Sequence, residues 1–211
     1  FFSEDFETGG PDWTIDNGIW AVGVPLLGPG RAHGGQNCAS TGLTDNYPIW
    51  AESRLISPII QLPVISPDEE LWLRLWSSST YSTGWGEVQA QYRREDGTWT
   101  VWEKVPQSSG NAYQSLAWTA GAADLGYLAG KLVRLALYHG NGYQGRAPGW
   151  FVDDLAVVVI PVSTTLATGF EDGWGHWWAD AGIWDIGIPT SGPMAAHSGI
   201  SCAGTVLDGN Y

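Results

Sequence analysis

Hydrophobic and polar residues alternate along several stretches of this chain with the period of two that is typical of a β-strand. In the clearest stretch three leucines face one way, and two tryptophans and an arginine face the other: Leu71, Leu73 and Leu75 against Trp72, Arg74 and Trp76. A second stretch has Val88 and Ala90 on one face and Gln89 and Gln91 on the other. The pattern predicts two strands, each with one apolar face buried in a core.

Turns rich in glycine and proline separate these stretches, and no segment repeats its apolar residues with a helical period. We expect roughly ten short strands, of which the almost wholly apolar 150–160 lies in the centre of a sheet. Short strands without connecting helices pair antiparallel, and they bury their apolar faces by packing sheet on sheet. We therefore predict an all-β chain that forms a two-sheet antiparallel jelly-roll sandwich.

The chain contains an internal repeat. Residues 6–47 recur as residues 170–211 at a constant offset of 164, and 21 of the 42 paired positions are identical. We predict a complete β-sandwich module at 1–162, a linker at 163–168 and the N-terminal part of a second, incomplete repeat of the same module at 169–211. Either the natural chain continues beyond Tyr211, or the opening strands of the second repeat find their partners in another chain.

Acidic residues outnumber basic ones, with 22 Asp and Glu against 9 Lys and Arg, and the formal net charge is −13. This charge argues against nucleic acid and anionic membrane surfaces as partners. The sequence has no run of about 18 apolar residues, so we expect no membrane insertion. We expect an extracellular or cell-surface protein whose leader, if it has one, is removed or lies outside this sequence.

The two cysteines occupy the same position in the two repeats, as Cys38 and Cys202. A disulfide within one module is therefore not expected. Each is either a small buried residue of a strand or a covalent link between modules or chains.

Several short motifs, taken in order, resemble MAM-type domains and the cleaved-adhesin-like jelly rolls of bacterial secreted proteins. They are Asp5-Phe6-Glu7, Leu55-Ile56-Ser57-Pro58, Gly126-Tyr127-Leu128-Ala129-Gly130-Lys131 and Gly149-Trp150-Phe151-Val152-Asp153-Asp154. The resemblance spans 1–160 and restarts near residue 166. It implies a tandem accessory module of a secreted protein. The cysteines that form disulfides in MAM domains are absent, so receptor adhesion as in animal MAM domains is not implied.

The resemblance also implies a structural Ca²⁺, held by carboxylates of the first and last strands. The matching ligands are Glu7, Asp153 and Asp154, with Asp45 and Asn46 as loop ligands. Calcium takes six to eight oxygen ligands, and two acids in so apolar a strand need a partner. The alternative is that the two aspartates cap turns and pair with Arg134 or Arg146. Asp45 is the weakest candidate because Gly209 replaces it in the second repeat.

A second candidate site is an aromatic platform for a ligand. Trp72, Arg74 and Trp76 share one strand face, and Gln89 and Gln91 could bond hydroxyl groups. Sugar rings stack on exposed aromatic faces, so the predicted partner is a glycan or a cell-surface or matrix protein. The alternative is that these tryptophans belong to the core.

No motif indicates catalysis. His33 recurs as His197 without a nucleophile and an orienting acid, so we expect it to be structural and to bond a loop carbonyl. Glu87 and Glu103, facing each other across a hairpin, would be the one acid pair of the kind that a glycosidase needs. We predict that the chain is not an enzyme.

The leading hypothesis is a non-catalytic extracellular module for adhesion or substrate targeting, stabilised by Ca²⁺. The first alternative is a carbohydrate-binding module that uses the aromatic sheet face. The second is a structural subunit of a surface fibre, in which the partial second repeat self-associates by completing the sandwich of a neighbouring chain.

Overall fold

A computed structural model describes residues 1–106, 115–141, 145–162, 169–179 and 183–209. The linker predicted at 163–168 lies outside the described residues. The described chain is all-β, apart from one turn of 3₁₀ helix at Gly126–Leu128.

The first sheet has six strands, and its strand pairs are antiparallel. In spatial order they are β10 (Ser115–Asp124), β7 (Glu69–Thr80), β12 (Gly149–Pro161), β4 (Cys38–Ser40) and β3 (Ala21–Gly23), with β1 (Ser3–Glu4) also on β12. The apolar β12 therefore lies inside the sheet, as its composition predicted.

The second sheet also has six strands in antiparallel pairs. They are β2 (Thr14–Asp16), β5 (Glu52–Ile56), β11 (Leu132–Gly140), β8 (Trp85–Tyr92) and β9 (Glu103–Lys104), with β6 (Ile60–Gln61) also on β11. The two sheets share one apolar core, which confirms the predicted two-sheet sandwich.

The core is built from the inward faces that the alternation predicted. Leu71, Leu73 and Leu75 of β7 are at most 2% exposed, and Val88 and Ala90 of β8 are buried with them. Burying these side chains removes apolar surface from water, at about 25 cal/mol for each Å². The polar side chains of the same strands are thereby turned to the two outer faces of the sandwich.

A separate two-stranded ribbon lies in the second repeat. It joins β13 (Asp185–Gly187) to β14 (Cys202–Gly204) in the register that joins β3 to β4. Both cysteines are free; Cys38 is buried and Cys202 is partly buried. Burial and the nearby Asp153 carboxylate raise the pKa of the Cys38 thiol to about 12.

A bulge interrupts β12 at its pairing with β7. The register shifts between Asp153, which faces Trp76, and Ala156, which faces Arg74. Asp154 lies within the bulge with a φ of +45°, a left-handed conformation that Asp tolerates better than most residues. The bulge brings two consecutive carboxylates to one place in the sheet.

Candidate functional site

The outer face of the second sheet carries a group of polar and aromatic side chains. We call it the polar–aromatic face and define it by Asp16, Arg54, Glu87, Gln89, Trp102 and Tyr138. Strand register builds it, because Asp16 pairs with Arg54, Arg54 with Tyr138, and Tyr138 with Glu87. Arg54, Glu87 and Tyr138 alternate with buried residues of β5, β8 and β11, so their side chains point away from the core.

Arg54 is the centre of this face. Its Nε donates to Gln89 Oε1 at 2.8 Å, and its Nη1 donates to Asp16 Oδ2 at 3.1 Å. Its guanidinium carbon lies 4.6 Å from the ring centroid of Tyr138 and 5.7 Å from that of Trp102. Cation–π contacts and charge-assisted hydrogen bonds therefore hold the guanidinium beside two aromatic rings.

Glu87 and Gln89 complete the face. Gln89 Nε2 donates to Glu87 Oε1 at 2.6 Å, and Lys104 Nζ lies 3.9 Å from Glu87 Oε2. Burial is the main cause that raises the pKa of Tyr138, and the Glu52 carboxylate adds to it. The phenol therefore stays neutral and able to donate a hydrogen bond.

The two glutamines predicted as ligand-binding residues, Gln89 and Gln91, are 7% and 8% exposed. Gln89 orients Arg54 instead of offering its amide to solvent. Apart from Gln89, the residues of this face are all partly exposed, and Arg54, Tyr138 and Trp102 supply its cation and its two aromatic rings. These three are the residues positioned to meet a ligand.

The other predicted ligand residues lie elsewhere. Trp72, Arg74 and Trp76 belong to β7 and face outward from the first sheet, whereas Gln89 and Gln91 belong to the second sheet. The structure therefore does not bring these five residues into one platform. Trp72 is only 7% exposed, and Trp178 of the second repeat stacks on it with ring centroids 6.2 Å apart.

A cluster of carboxylates holds the loop that precedes β4. We call it the carboxylate cluster and define it by Glu7, Asp153 and Asp154. Glu7 Oε1 accepts hydrogen bonds from the backbone of Gln36 and Asn37 at 2.9 and 2.7 Å. Asp153 Oδ2 accepts from the backbone N–H groups of residues 33 and 34.

The two glycines of this loop make room for the carboxylates. A Cβ on Gly34 would lie 2.7 Å from Asp154 Oδ2, and one on Gly35 would lie 2.4 Å from Glu7 Cδ. Asp154 and Glu7 therefore approach neighbouring residues of one loop. Burial, followed by the Asp154 charge, raises the pKa of Asp153 to about 7.

The predicted loop ligands Asp45 and Asn46 do not join this cluster. β4 pairs with β12 through Ala39 and Val152, so the end of β4 that follows Ser40 points away from Asp153. Both residues are exposed on the far side of that strand. Among the described residues, no group of three or more Asp, Glu, His and Cys side chains converges as a metal site.

The His33 ring pairs with a carboxylate, whereas the sequence predicted a hydrogen bond to a loop carbonyl. Its Nδ1 lies 2.6 Å from Asp154 Oδ2, and its ring stacks on Trp76 with centroids 3.9 Å apart. Asp154 therefore pairs with His33 and not with Arg134, which lies over Trp99 on the other sheet. The His33 ring is thus held by Asp154 at the bulge and by Trp76 of β7.

The acid pair that a glycosidase would need is not formed. Across the β8–β9 pairing Glu103 is opposite Ala90, whereas Lys104 is opposite Gln89. The Glu87 carboxylate is held by Lys104 and Gln89.

Sequence reasoning missed Arg54 as the centre of the site. The signal was present in the alternation of 53–57, where the buried residues Ser53, Leu55 and Ser57 leave Arg54 on the outside. The register that places Arg54 between Asp16 and Tyr138 could not be read from the sequence, because it joins residues far apart in the chain.

No family model matches the chain. Among curated proteins, Bacillopeptidase F from Bacillus subtilis (strain 168) is 26% identical over 161 residues, which are 74% of this chain and 10% of that protein. The chain therefore spans only about a tenth of the length of this relative.

Two solved structures are similar in fold. The K3 cleaved adhesin domain of Lys-gingipain from Porphyromonas gingivalis W83 has a TM-score of 0.47 at 18% identity, covering 74% of this chain and 97% of that one. The CBM22-1 xylan-binding domain from Paenibacillus barcinonensis has a TM-score of 0.48 at 14% identity, covering 77% and 95%. Cleaved-adhesin domains are thus among the similar structures, and the MAM-type resemblance stays a prediction.

Within the described part of the chain, no helix has the length and apolar character needed to cross a membrane.

Proposed function

We propose that this chain is a non-catalytic extracellular module that serves adhesion or substrate targeting by binding a glycan. The observation that carries the proposal is the polar–aromatic face, where the partly exposed Arg54 lies over Tyr138 and Trp102 and is held by the buried Gln89 and by Asp16. Aromatic rings offer apolar planes to sugar rings, and the polar groups around them can bond hydroxyls.

The preorganisation of this face supports binding. Asp16 and Gln89 fix two nitrogens of the Arg54 guanidinium, so a ligand would not have to order a free side chain. Immobilising such a side chain costs about 0.5–1.5 kcal/mol of free energy. Here that cost arises during folding and not when the ligand binds. Lys104 and Gln89 both engage the Glu87 carboxylate, and this structural use of the acid supports a role without catalysis.

Binding can be tested with the Tyr138→Ala and Arg54→Ala variants. We expect the intact chain to bind at least one polysaccharide in an array of plant, microbial and animal glycans. Each substitution should weaken this binding about tenfold or more, since a lost stacking or charged contact costs about 1.4 kcal/mol or more. Binding is measured by titration calorimetry with the polysaccharide found.

The matched control is Tyr127→Ala, because Tyr127 is a partly exposed tyrosine of the 3₁₀ turn, outside the face. Its affinity should equal that of the parent. A chain that binds no glycan, or a Tyr138→Ala variant with full affinity, would overturn the proposal.

We also propose that Ca²⁺ stabilises the module at the carboxylate cluster. Glu7 and Asp154 approach consecutive loop residues, and carboxylates are ligands that Ca²⁺ prefers. A cation here would favour the ionised form of Asp153, whose pKa burial raises. Among the described residues, no three Asp, Glu, His or Cys side chains meet at one point. Loop carbonyls or water would therefore supply the other oxygen ligands.

The metal can be tested by calorimetry with calcium and with a chelator. We expect Ca²⁺ to raise the Tm of the parent chain, because a ligand that binds only the folded state stabilises it. Glu7→Gln and Asp154→Asn should remove most of that increase. The exposed Asp45→Asn should keep it, since Asp45 lies outside the cluster. A Tm that does not respond to chelation in the parent would contradict this proposal.

Fibre assembly through the second repeat stays a prediction. Sedimentation at rising protein concentration tests it, and a strictly monomeric chain would exclude it.

A further inference from the structure

The outer face of the first sheet is covered by a segment of the second repeat. We call 172–179 the docking segment, and we call Glu70, Trp72, Arg74 and Trp76 the acceptor strip. All four acceptor residues lie on β7 and alternate with its buried leucines. The strand face predicted as a ligand platform is therefore in contact with the second repeat of the same chain.

Aromatic rings form the first part of this contact. Trp178 stacks on Trp72 with an interplanar angle of 30°, and Trp174 meets Trp76 edge-on with centroids 6.3 Å apart. Such pairs contribute about 0.5–1.5 kcal/mol each beyond the area they bury. Trp72 and Trp76 are thus each covered by one tryptophan of the docking segment.

Hydrogen bonds form the second part. The Arg74 guanidinium donates to the carbonyl of Trp177 at 2.9 Å and also to the carbonyl of Gly175. The two ring nitrogens of His176 lie 3.0 Å from Glu70 Oε2 and 2.9 Å from the Pro161 carbonyl. Burial lowers the pKa of Arg74, and the Glu70 carboxylate opposes this effect. The cation is therefore partly removed from water and bonded to main-chain oxygens.

The main chain takes part as well. The N–H of Ala179 donates to the carbonyl of Ala120 on β10 at 3.2 Å. β10 is the outermost strand of the first sheet, so this bond ties the docking segment to a sheet edge.

The two repeats differ at the positions that make these contacts. Trp174, Gly175, His176 and Trp178 replace Gly10, Pro11, Asp12 and Thr14 of the first repeat. The identical Phe170 and Trp177 correspond to Phe6 and Trp13, which pack in the core of the first repeat. Four of the residues by which the second repeat departs from the first therefore lie in the contact between the two.

We propose that the acceptor strip is a docking site for the opening segment of the following repeat, and that the four substitutions of the second repeat specify this contact. The first repeat supplies the acceptor and the second supplies the docking residues, so the contact has a direction along the chain. It fixes one repeat against the next and withholds Trp72, Arg74 and Trp76 from external ligands. This proposal is independent of glycan binding on the second sheet.

The test is to give the second repeat the residues of the first, in the full chain, as W174G/G175P/H176D/W178T. We expect the indole N–H signals of Trp72 and Trp76 in NMR spectra to shift and their hydrogen exchange to accelerate at least tenfold. We expect the radius of gyration in small-angle scattering to increase. The indole signals of Trp20 and Trp150, which pack in the core of the first repeat, should stay unchanged and report that it is folded.

A matched control makes the same kind of exchange outside the contact. M194G/I200Q also restores first-repeat residues, at two exposed positions, and should leave Trp72 and Trp76 unaffected. A single His176→Asp substitution is the second variant, because it places a carboxylate beside Glu70 and should undock the segment by repulsion. The proposal is overturned if Trp72 and Trp76 keep their shifts and protection in both docking variants, or if the control changes them equally.

Discussion

At the scale of single residues, burial decides what a polar side chain can do. His139 is fully buried between the rings of Tyr47 and Tyr81, with centroids 4.7 and 5.8 Å away. Among the described residues, neither of its ring nitrogens has a hydrogen-bond partner. Burial lowers the pKa of His139 from 6.5 to about 4. Its imidazole is therefore neutral in the folded chain at neutral pH.

This burial predicts a loss of stability in acid. The folded pKa lies below the unfolded one, so stability is fully present above pH 6.5 and declines as the pH falls towards 4. The decline from this one group should reach about 3 kcal/mol in the free energy of unfolding. His139→Phe should abolish this part of the pH dependence and raise stability at pH 7 by about 1 kcal/mol, since no unpaired polar group stays buried. Urea unfolding at several pH values measures both.

The control for this prediction is His197→Phe, because His197 is exposed in the second repeat. Its pH profile should match that of the parent. If His139→Phe has the same acid sensitivity as the parent, His139 is not the titrating group.

At the scale of elements, the same sequence motif is packed differently in the two repeats. β3 and β4 lie in the first sheet beside β12, whereas β13 and β14 form a ribbon of their own. Gly28 and Gly192 occupy the same place in the loop between these strands, with φ values of +61° and +63°. The backbone conformation is thus shared, and the surroundings differ.

Replacing each of these two glycines by alanine should lower the free energy of unfolding by different amounts. A Cβ on Gly28 would lie 2.3 Å from Cε2 of the buried Phe151, whereas a Cβ on Gly192 would meet no described atom within 4 Å. Gly28→Ala should therefore lower the free energy of unfolding by about 3 kcal/mol, through left-handed strain together with overpacking. Gly192→Ala should cost about 1 kcal/mol, from the backbone strain alone. Thermal unfolding of the two variants compares them, and equal costs would contradict the role of Phe151.

At the scale of the whole molecule, a partly buried cation helps to join the two repeats. Arg74 belongs to the first module, and its guanidinium bonds carbonyls of Gly175 and Trp177 in the second. The net charge of −13 gives the two parts a general repulsion, which such contacts have to overcome. The chain has only 9 Lys and Arg residues, so few cations are available to offset this repulsion.

Removing this cation should loosen the second repeat. Arg74→Met keeps an apolar stem beside Trp72 but removes the hydrogen bonds, and each bond to a charged donor contributes about 1.5–3 kcal/mol. We expect the exciton signal of the Trp72–Trp178 stack in circular dichroism to decrease, with a Tm for the core of the first module within a few degrees of the parent. Arg94→Met is the control, since Arg94 is exposed at the β8–β9 turn. An unchanged exciton signal in Arg74→Met would show that Arg74 does not hold the segment.

The fold class and the residues that face the core can both be predicted from the amino-acid sequence. Alternation assigned Leu71, Leu73 and Leu75 to the core because a strand turns successive side chains to opposite sides. It also determined the repeat, since identical spacing over 42 positions can be counted without coordinates. These are local properties of the chain, so local reasoning reached them.

The composition of each outer face depends on how distant strands pair. Alternation placed Trp72 and Gln89 on polar faces but could not assign them to different sheets, because strand order joins residues far apart in sequence. For the same reason the sequence predicts Asp45 as a ligand beside Asp153, although β4 separates the two residues. The sequence determines which residues leave the core, whereas long-range pairing determines which of them meet. Arg54 therefore meets Tyr138 on an open face, and Trp72 meets Trp178 under a covered one.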